Sequence, residues 1–298
     1  IIHRDLYMYE GDLNYLREQQ EYMRALLRVL ASQMDGDREN LQGGQRLLDW
    51  PTSQMPDVIH AGYQALMVMA MEAGAEIGGW LGDRQMQSEC HGALRRLRRH
   101  VPDHLRNKQA AAMLVLAGLA DPGKVCRTVI ARGGAEGFST FYGYYMLEAL
   151  AEGGLYDEAL QIISDYWGAM LDLGATTFWE DLNYAHAAGA ARIDEPVPAG
   201  KFDIHAESGA YCYKGLRHSL CHGSRKTLAP WLSRHVLGIV PLEPGCKSVA
   251  VRPHLGHLKW AEGTFPTPWG VIRVRHERGA DGKVSTSVSA PDGVRVVR

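Results

Sequence analysis

The sequence predicts a mainly α protein, an (α/α)-type helical toroid followed by a small antiparallel β-sandwich. Three observations predict it. Apolar residues recur with a period near 3.6 through roughly the first two hundred positions. Short Gly-rich turns cut that stretch into helical hairpins in series. After Leu228-Ala229-Pro230-Trp231-Leu232 the apolar period falls to two. Helices first and strands afterwards imply segregated layers rather than a mixed α/β sheet. No fixed-period repeat consensus is present, which favours a toroid over a solenoid. The helices are too few for six complete hairpins. The chain also opens at Ile1-Ile2-His3-Arg4-Asp5, with no initiator Met and already in a helical pattern. Both features predict a toroid incomplete on its N-terminal side, in a chain that starts inside a longer polypeptide. The expected division is 1–238 for the helical domain and 239–298 for the β-domain.

The elements follow in order. From Asp12 to Met34, apolar residues recur at Leu13, Leu16, Met23, Leu26, Leu27 and Leu30, with Asp12 as the cap. A polar, Gly-rich loop spans Asp35 to Gln45. The next helix runs from Asp57 to Trp80 and stops at Gly78-Gly79. Asp83 to His100 is a basic helix, and Arg95, Arg96, Arg98 and Arg99 read as a solvated face rather than a nucleic-acid patch. Asn107–Leu119 and Pro122–Ala131 are shorter helices; Ser139–Ala151 and Tyr156–Leu173 are longer ones. Met67, Met69, Met71 and Met113 read as core fillers. Strand alternation appears at Lys247–Pro253, Gly270–His276 and Val284–Ser289, with a hairpin turn at Ala280-Asp281-Gly282-Lys283 and a last strand at Val294–Val297.

The bulk numbers bound the function. With 298 residues, 46% hydrophobic and 22% charged, the chain can bury a sizeable core. A net charge of −2 gives no electrostatic reason to expect nucleic acid or an anionic membrane as partner. No apolar run is long enough to span a bilayer. Cys90, Cys126, Cys212, Cys221 and Cys246 are odd in number and form no CxxC, so they read as buried free thiols. There is no GxSxG, P-loop or dinucleotide fingerprint, and no cofactor is expected. Gly133-Gly134-Ala135-Glu136-Gly137 follows a helix and is a turn.

Leu173-Gly174-Ala175-Thr176-Thr177-Phe178-Trp179-Glu180-Asp181 is the most unusual stretch. Aromatic faces cover the apolar face of a pyranose, while carboxylates bind hydroxyls or move protons. The bland alternative is a helix cap at Asp181 beside a core Trp. In Arg217-His218-Ser219-Leu220-Cys221-His222-Gly223, two histidines four apart could share a helix face. With no third ligand at a diagnostic spacing, no metal is expected, and a structural or sugar-binding His stays open. Asp49, Trp50 and Asp57 lie in an irregular helix–helix loop and could line a pocket or plug a core edge.

Gly174-Ala175-Thr176-Thr177-Phe178-Trp179-Glu180 resembles the GATT-aromatic-WE signature of bacterial α-L-rhamnosidases, a family of inverting glycoside hydrolases. Ser219–Gly223 resembles the family's SxxH segment, and Trp231-Leu232 with Val236–Ile239 the segment leaving the barrel. Val251-Arg252-Pro253 and Leu258–Gly270 resemble the start of its C-terminal β-sandwich. Gly11-Asp12 and Leu48-Asp49-Trp50 fit the barrel helices more loosely. The resemblance covers nearly the whole chain and is strongest from residue 137 onward. It implies an (α/α)6 barrel binding terminal α-L-rhamnose. It makes Glu180 the general base, His222 a sugar contact, and Trp50 and Trp179 pocket aromatics.

The chain departs from the family in three places. The family's acidic DxxxRDE-like segment, which carries the general acid, is absent, which points to a portion before Ile1. The connection Asp181–Tyr213 is long, and Asp203, His205 and Glu207 in it are candidate substrate contacts. Gly223-Ser224-Arg225-Lys226 stands where a Trp is expected. An inverting mechanism needs two carboxyls about 6.5–9.5 Å apart. Two rival readings remain open. One is a helical-toroid polysaccharide lyase or glucuronyl hydrolase; a lyase would want a Tyr or His base and a positively charged patch for a uronate, and Tyr142, Tyr144 and Tyr145 keep it open. A non-catalytic carbohydrate-binding fragment would hold only one of two carboxylates. A toroid missing helices would expose apolar faces that the N-terminal portion or another chain would cover.

Overall fold

The computed structural model describes residues 1–207, 218–223 and 228–298. Cys212, Tyr213, Arg217 and Ser224-Arg225-Lys226 lie outside the described residues, as does the Glu207 side chain. The protein is mainly helical with small sheets. It divides into two compact units, one of residues 1–43, 63–101 and 231–298, the other of 44–62 and 102–230.

In the first unit, α1 (Ile2–Glu10) ends at left-handed Gly11, and α2 (Leu13–Ser32) starts at once. The Asp12 carboxylate caps α2 by accepting the backbone N–H groups of Asn14 and Tyr15. The polar loop after α2 holds a two-residue hairpin, β1 (Met34–Asp35) with β2 (Arg38–Glu39). The buried Gln64 amide secures it, accepting from Glu39 N–H at 2.7 Å and donating to the Asp37 carbonyl at 2.9 Å.

Helix α3 (Pro56–Leu81) continues past Gly78-Gly79, where the sequence predicts its end. The glycines serve close packing rather than termination. A Cβ on Gly78 would stand 3.0 Å from the Gln87 backbone nitrogen, in the first turns of α4 (Arg84–Leu97). The arginines at 95, 96, 98 and 99 are exposed around buried Leu97, as expected of a solvated face. Met67 and Met71 are buried, while Met69 is half-buried.

Asp83 joins α2 to α4. Its carboxylate accepts from Arg24 Nε at 2.5 Å, from Gln20 Nε2 at 2.9 Å and from the Met86 N–H at 3.0 Å. The Arg24 guanidinium holds this acid well below the usual carboxylate range.

The β-region belongs to the same unit. One sheet is ordered β3 (Ile239–Pro241), β4 (Ser248–Val251), β8 (Arg295–Val297); the other is β5 (Trp260–Thr267), β6 (Gly270–Arg278), β7 (Val284–Ser289). All pairs are antiparallel except β4–β8, which is parallel. This differs from the expected all-antiparallel arrangement because the chain leaves β7 and joins the other sheet before pairing. Both sheets turn apolar residues into one core, with Ile239, Val249 and Val251 from the first and Ile272 and Val274 from the second. Strand β5 alternates half-buried and exposed residues at a sheet edge. Pro266 is tolerated there because an edge strand can forgo ladder bonds. Buried His276 donates Nε2–H to the Leu237 carbonyl at 3.1 Å, leaving Nδ1 to accept from Thr286 Oγ at 2.9 Å. Burial pushes its pKa down and keeps the ring neutral. Cys246 is buried in the short turn Pro244–Cys246, and burial raises its pKa. Helix α1 seats on that turn, where Gly11 and Gly245 approach so closely that a Cβ on Gly11 would lie 2.7 Å from the Gly245 Cα.

In the second unit, α5 (Lys108–Leu116) is buried continuously from Gln109 to Val115. A helix apolar on all sides must lie inside. It packs on α7 (Gly143–Glu152), and α7 packs on α8 (Tyr156–Asp172). The expected helix over 122–131 is α6 (Pro122–Val125) followed by a π-turn, Cys126–Ile130. Buried Cys126 donates its thiol to the Ala149 carbonyl at 3.0 Å, and burial pushes its pKa up to about 12. Tyr142, Tyr144 and Tyr145 belong to a ring cluster with Phe141. A single helical turn, α9 (Ile204–Glu207), and α10 (Leu228–Trp231) complete the helices.

Two predictions follow from the first unit. Asp83 is more acidic folded than unfolded, so its contribution is complete above the ordinary carboxylate pKa of about 3.9 and is lost as pH falls below it. Asp83→Asn should lower the unfolding free energy at pH 7 by about 1–3 kcal/mol and flatten the acid side of the stability profile, read by urea melts at pH 7 and pH 3. Gly238 has φ +71°, and a Cβ there would stand 2.2 Å from the Arg252 carbonyl carbon. Gly238→Ala should cost about 2–3 kcal/mol, read as a lowered denaturation midpoint.

Candidate active site

The aromatic-acid segment begins where α8 ends. Gly174 and Ala175 close the helix by donating to the Leu171 and Met170 carbonyls, each at 2.9 Å. The chain then runs irregularly beside residues 218–222, all within the second unit. Backbone and side-chain bonds tie the two segments. The Glu180 N–H donates to the Ser219 carbonyl at 2.8 Å, and the Ser219 N–H donates to Glu180 Oε2 at 3.1 Å. The His222 N–H donates to the Phe178 carbonyl at 3.1 Å, and the Thr177 hydroxyl donates to the Leu220 carbonyl. Beyond the acid, the Leu182 N–H donates to Tyr166 Oη at 3.2 Å, and that hydroxyl lies 3.1 Å from the Leu182 carbonyl.

These bonds fix the Glu180 carboxylate next to His222, with Oε2 and Nδ1 3.8 Å apart. The Glu180 side chain is 15% exposed and that of His222 32%, so both reach solvent. A carboxylate held by one backbone N–H, beside an imidazole and open to water, can orient a water molecule and accept its proton.

The histidines do not share a helix face, contrary to the four-residue spacing. Residues 218–222 are non-helical because their N–H groups at 219 and 222 go to Glu180 and Phe178 rather than to their own chain. Cys221 is exposed, not buried as expected, because its segment faces the neighbouring one through backbone groups. His218 serves the other side of the clamp, its Nε2 accepting the Asp181 N–H at 3.0 Å.

Trp179 is fully buried, and the His205 ring packs edge-on against it at 4.5 Å between centroids. His205 Nδ1 lies 2.6 Å from His218 Nδ1. Burial lowers the His205 pKa, opposed by the charge of Asp203. The Asp203 carboxylate accepts the His205 N–H at 2.9 Å, turning the chain into α9.

Asp49 and Trp50 build a second cluster in the same unit. Asp49 is buried; its Oδ2 accepts from Gln109 Nε2 at 2.8 Å and from Ser139 Oγ at 2.7 Å. Its Oδ1 accepts the Trp50 N–H at 2.9 Å, and with Thr52 it forms a reciprocal cap on the turn Trp50–Thr52. Trp50 is half-buried. Gln109, Ser139 and Tyr166 were not singled out as site residues in the sequence, and Ser219 only as part of the SxxH-like segment. Gln109 carried a signal, an amide at the head of the apolar run Ala110–Leu116. A backbone donor such as Ser219 N–H carries none.

Comparison with known proteins adds what the chain is similar to. Residues 238–297 match the bacterial alpha-L-rhamnosidase C-terminal domain. The chain is similar to the C-terminal portion of bacterial α-L-rhamnosidases. An α-L-rhamnosidase of Alteromonas sp. is 29% identical over 126 residues, covering 42% of this chain and 11% of that protein. One from Streptomyces avermitilis is 25% identical over 152 residues, covering 49% and 13%. The chain thus matches only about a tenth of the length of these α-L-rhamnosidases. In fold, it superposes over 98% of its length on the crystal structure of the S. avermitilis α-L-rhamnosidase complexed with L-rhamnose, with TM-score 0.75, 20% identity and 28% of that chain covered. A GH78 family rhamnosidase of Bacillus sp. GL1 gives TM-score 0.75 at 19% identity, covering 98% of this chain and 31% of that one.

Asp49 is the buried hub of its cluster. Asp49→Ala removes the shared acceptor of the Gln109 amide and the Ser139 hydroxyl and deletes the cap, so about 2–4 kcal/mol of stability should be lost, read in chemical denaturation against wild type.

Proposed function

We propose that this chain is part of an α-L-rhamnosidase and takes part in hydrolysing terminal α-L-rhamnose by single displacement with inversion. In this reading residues 1–238 belong to an (α/α)6 catalytic barrel and 239–298 are its C-terminal β-domain. The observation that carries it is the Glu180 carboxylate, anchored by Ser219 N–H and open to solvent 3.8 Å from His222. It lies in a segment resembling the family's signature, in a chain with a rhamnosidase fold and a matching C-terminal domain.

Glu180 is the general base. It takes a proton from water as that water attacks the anomeric carbon on the face opposite the leaving group. His222, at the mouth beside it, binds a sugar hydroxyl. Trp179 supports the site from beneath, with its indole buried. Trp50, half-buried in the turn capped by Asp49, is the second pocket aromatic of this reading. Asp49 and Asp203, expected as substrate contacts, direct carboxylate oxygens to the chain itself and shape the loops that carry Trp50 and His205. The general acid comes from a part of the enzyme preceding Ile1, about 6.5–9.5 Å from Glu180 across the bound sugar. The partners in this reading are the carbohydrate and that remaining part of the enzyme.

The test is hydrolysis of p-nitrophenyl α-L-rhamnoside by this chain and by the longer polypeptide, each with Glu180→Gln. Turnover should fall by about 10²–10⁴-fold in the variant without loss of fold, and the first product seen by NMR should be β-L-rhamnose. Near-normal turnover in Glu180→Gln would remove Glu180 as base. Tight rhamnoside binding with no turnover in the longer polypeptide would favour a carbohydrate-binding protein.

A further inference from the structure

Glu180 is flanked by a neighbour whose backbone is held by a histidine, and that histidine is held by another. The donors can be assigned by elimination. A backbone N–H can only donate, so His218 Nε2, which meets the Asp181 N–H at 3.0 Å, must carry a lone pair. A neutral imidazole with a bare Nε2 keeps its proton on Nδ1. That N–H points at His205 Nδ1, 2.6 Å away, which must then be the acceptor. The His205 proton is left on Nε2. The chain of bonds therefore runs in one direction, from Asp181 N–H to His218 and from His218 Nδ1–H to His205.

The two rings are braced from outside. The His205 backbone is fixed by the Asp203 carboxylate, and its ring stands against buried Trp179, 4.5 Å between centroids. The His218 ring lies 4.5 Å from that of His205 at 62°. The brace thus reaches the peptide on each side of Glu180, through the Trp179 ring before it and the Asp181 N–H after it. Ser219, which follows His218, gives its N–H to the Glu180 carboxylate itself.

We infer that His218 and His205 form a hydrogen-bonded pair of positioning residues that orients the Glu180 carboxylate by fixing the Asp181 backbone and the Ser219 donor. The inference rests on the reading of Glu180 as base. It gives His205 a role within the chain in place of a substrate contact. Neither histidine touches the reacting atoms. Removing the pair should leave sugar binding largely intact and misplace the base. Burial lowers the His205 pKa, which agrees with a neutral acceptor.

Two measurements test this. The first needs no activity. Two-bond ¹H–¹⁵N correlation spectra of the chain's imidazoles should show His218 in the Nδ1–H tautomer and His205 in the Nε2–H tautomer; His218 protonated on Nε2 overturns the inference. The second is kinetic, on the polypeptide that hydrolyses the rhamnoside. His218→Leu should lower kcat by about 10–100-fold with KM within about threefold, the size expected of a misplaced catalytic group. His218→Gln puts an amide oxygen where Nε2 stood, and His205→Asn puts one where Nδ1 stood. Each should recover most of the loss that His218→Leu or His205→Leu suffers. If Glu180→Gln is inactive while His218→Leu turns over at the wild-type rate, the pair is structural only and the inference falls alone. If Glu180→Gln stays active, the base reading falls first.

Discussion

The reciprocal bond between Glu180 and Ser219 is the constraint on which the rest of the candidate site depends. Glu180 gives its N–H to the Ser219 carbonyl, and Ser219 returns its own N–H to the Glu180 carboxylate. One contact thereby fixes both the backbone and the side chain of the acid. It sets two irregular segments, far apart in sequence, side by side. His222, His218 and the Thr177 hydroxyl then have defined places to bind. Irregular chain can be held this firmly only when its peptide groups find partners, since an unpaired buried N–H or carbonyl is costly. Here the partners are each other, with Tyr166 and Leu182 closing the far end.

Much of the scaffold was legible in the sequence, for a physical reason. Helices α2, α3 and α8 announce themselves because one face must be apolar at a period near 3.6, and Asp12, Asp83 and Asn107 sit where orphan N–H groups need an acceptor. Strands β6 and β7 alternate cleanly around an Asp-Gly turn. Strands β3 and β5 were not read as strands. β3 is three residues long, and Gly263 and Pro266 interrupt the signal of β5. Nor did any local pattern foretell that β8 would pair parallel with β4, since sheet partners are set by how the chain crosses between layers.

The site was legible by composition and illegible by connection. Two aromatics and two acids in one irregular stretch mark residues 173–181 as unusual, and the family resemblance singles out Glu180 and His222. The four-residue histidine spacing misled, because it presumes a helix. The N–H groups that a helix would spend within itself are spent on Glu180 and Phe178 instead. The roles of Gln109 and Ser139 around Asp49 are likewise set by tertiary approach across sixty and ninety positions. A spacing rule cannot see that distance.

The seat of α1 on the turn Pro244–Cys246 has a consequence for how the chain is made. The first unit is assembled from three stretches separated by most of the sequence. Its opening helix and its sheets meet where Gly11 and Gly245 exclude any side chain. Helix α1 and its seat are separated by most of these residues, so their contact cannot form until the turn Pro244–Cys246 has been made. The second unit, nearly contiguous from Pro102 to Pro230, faces no such delay. Vectorial synthesis therefore favours closing the nearly contiguous second unit before the first.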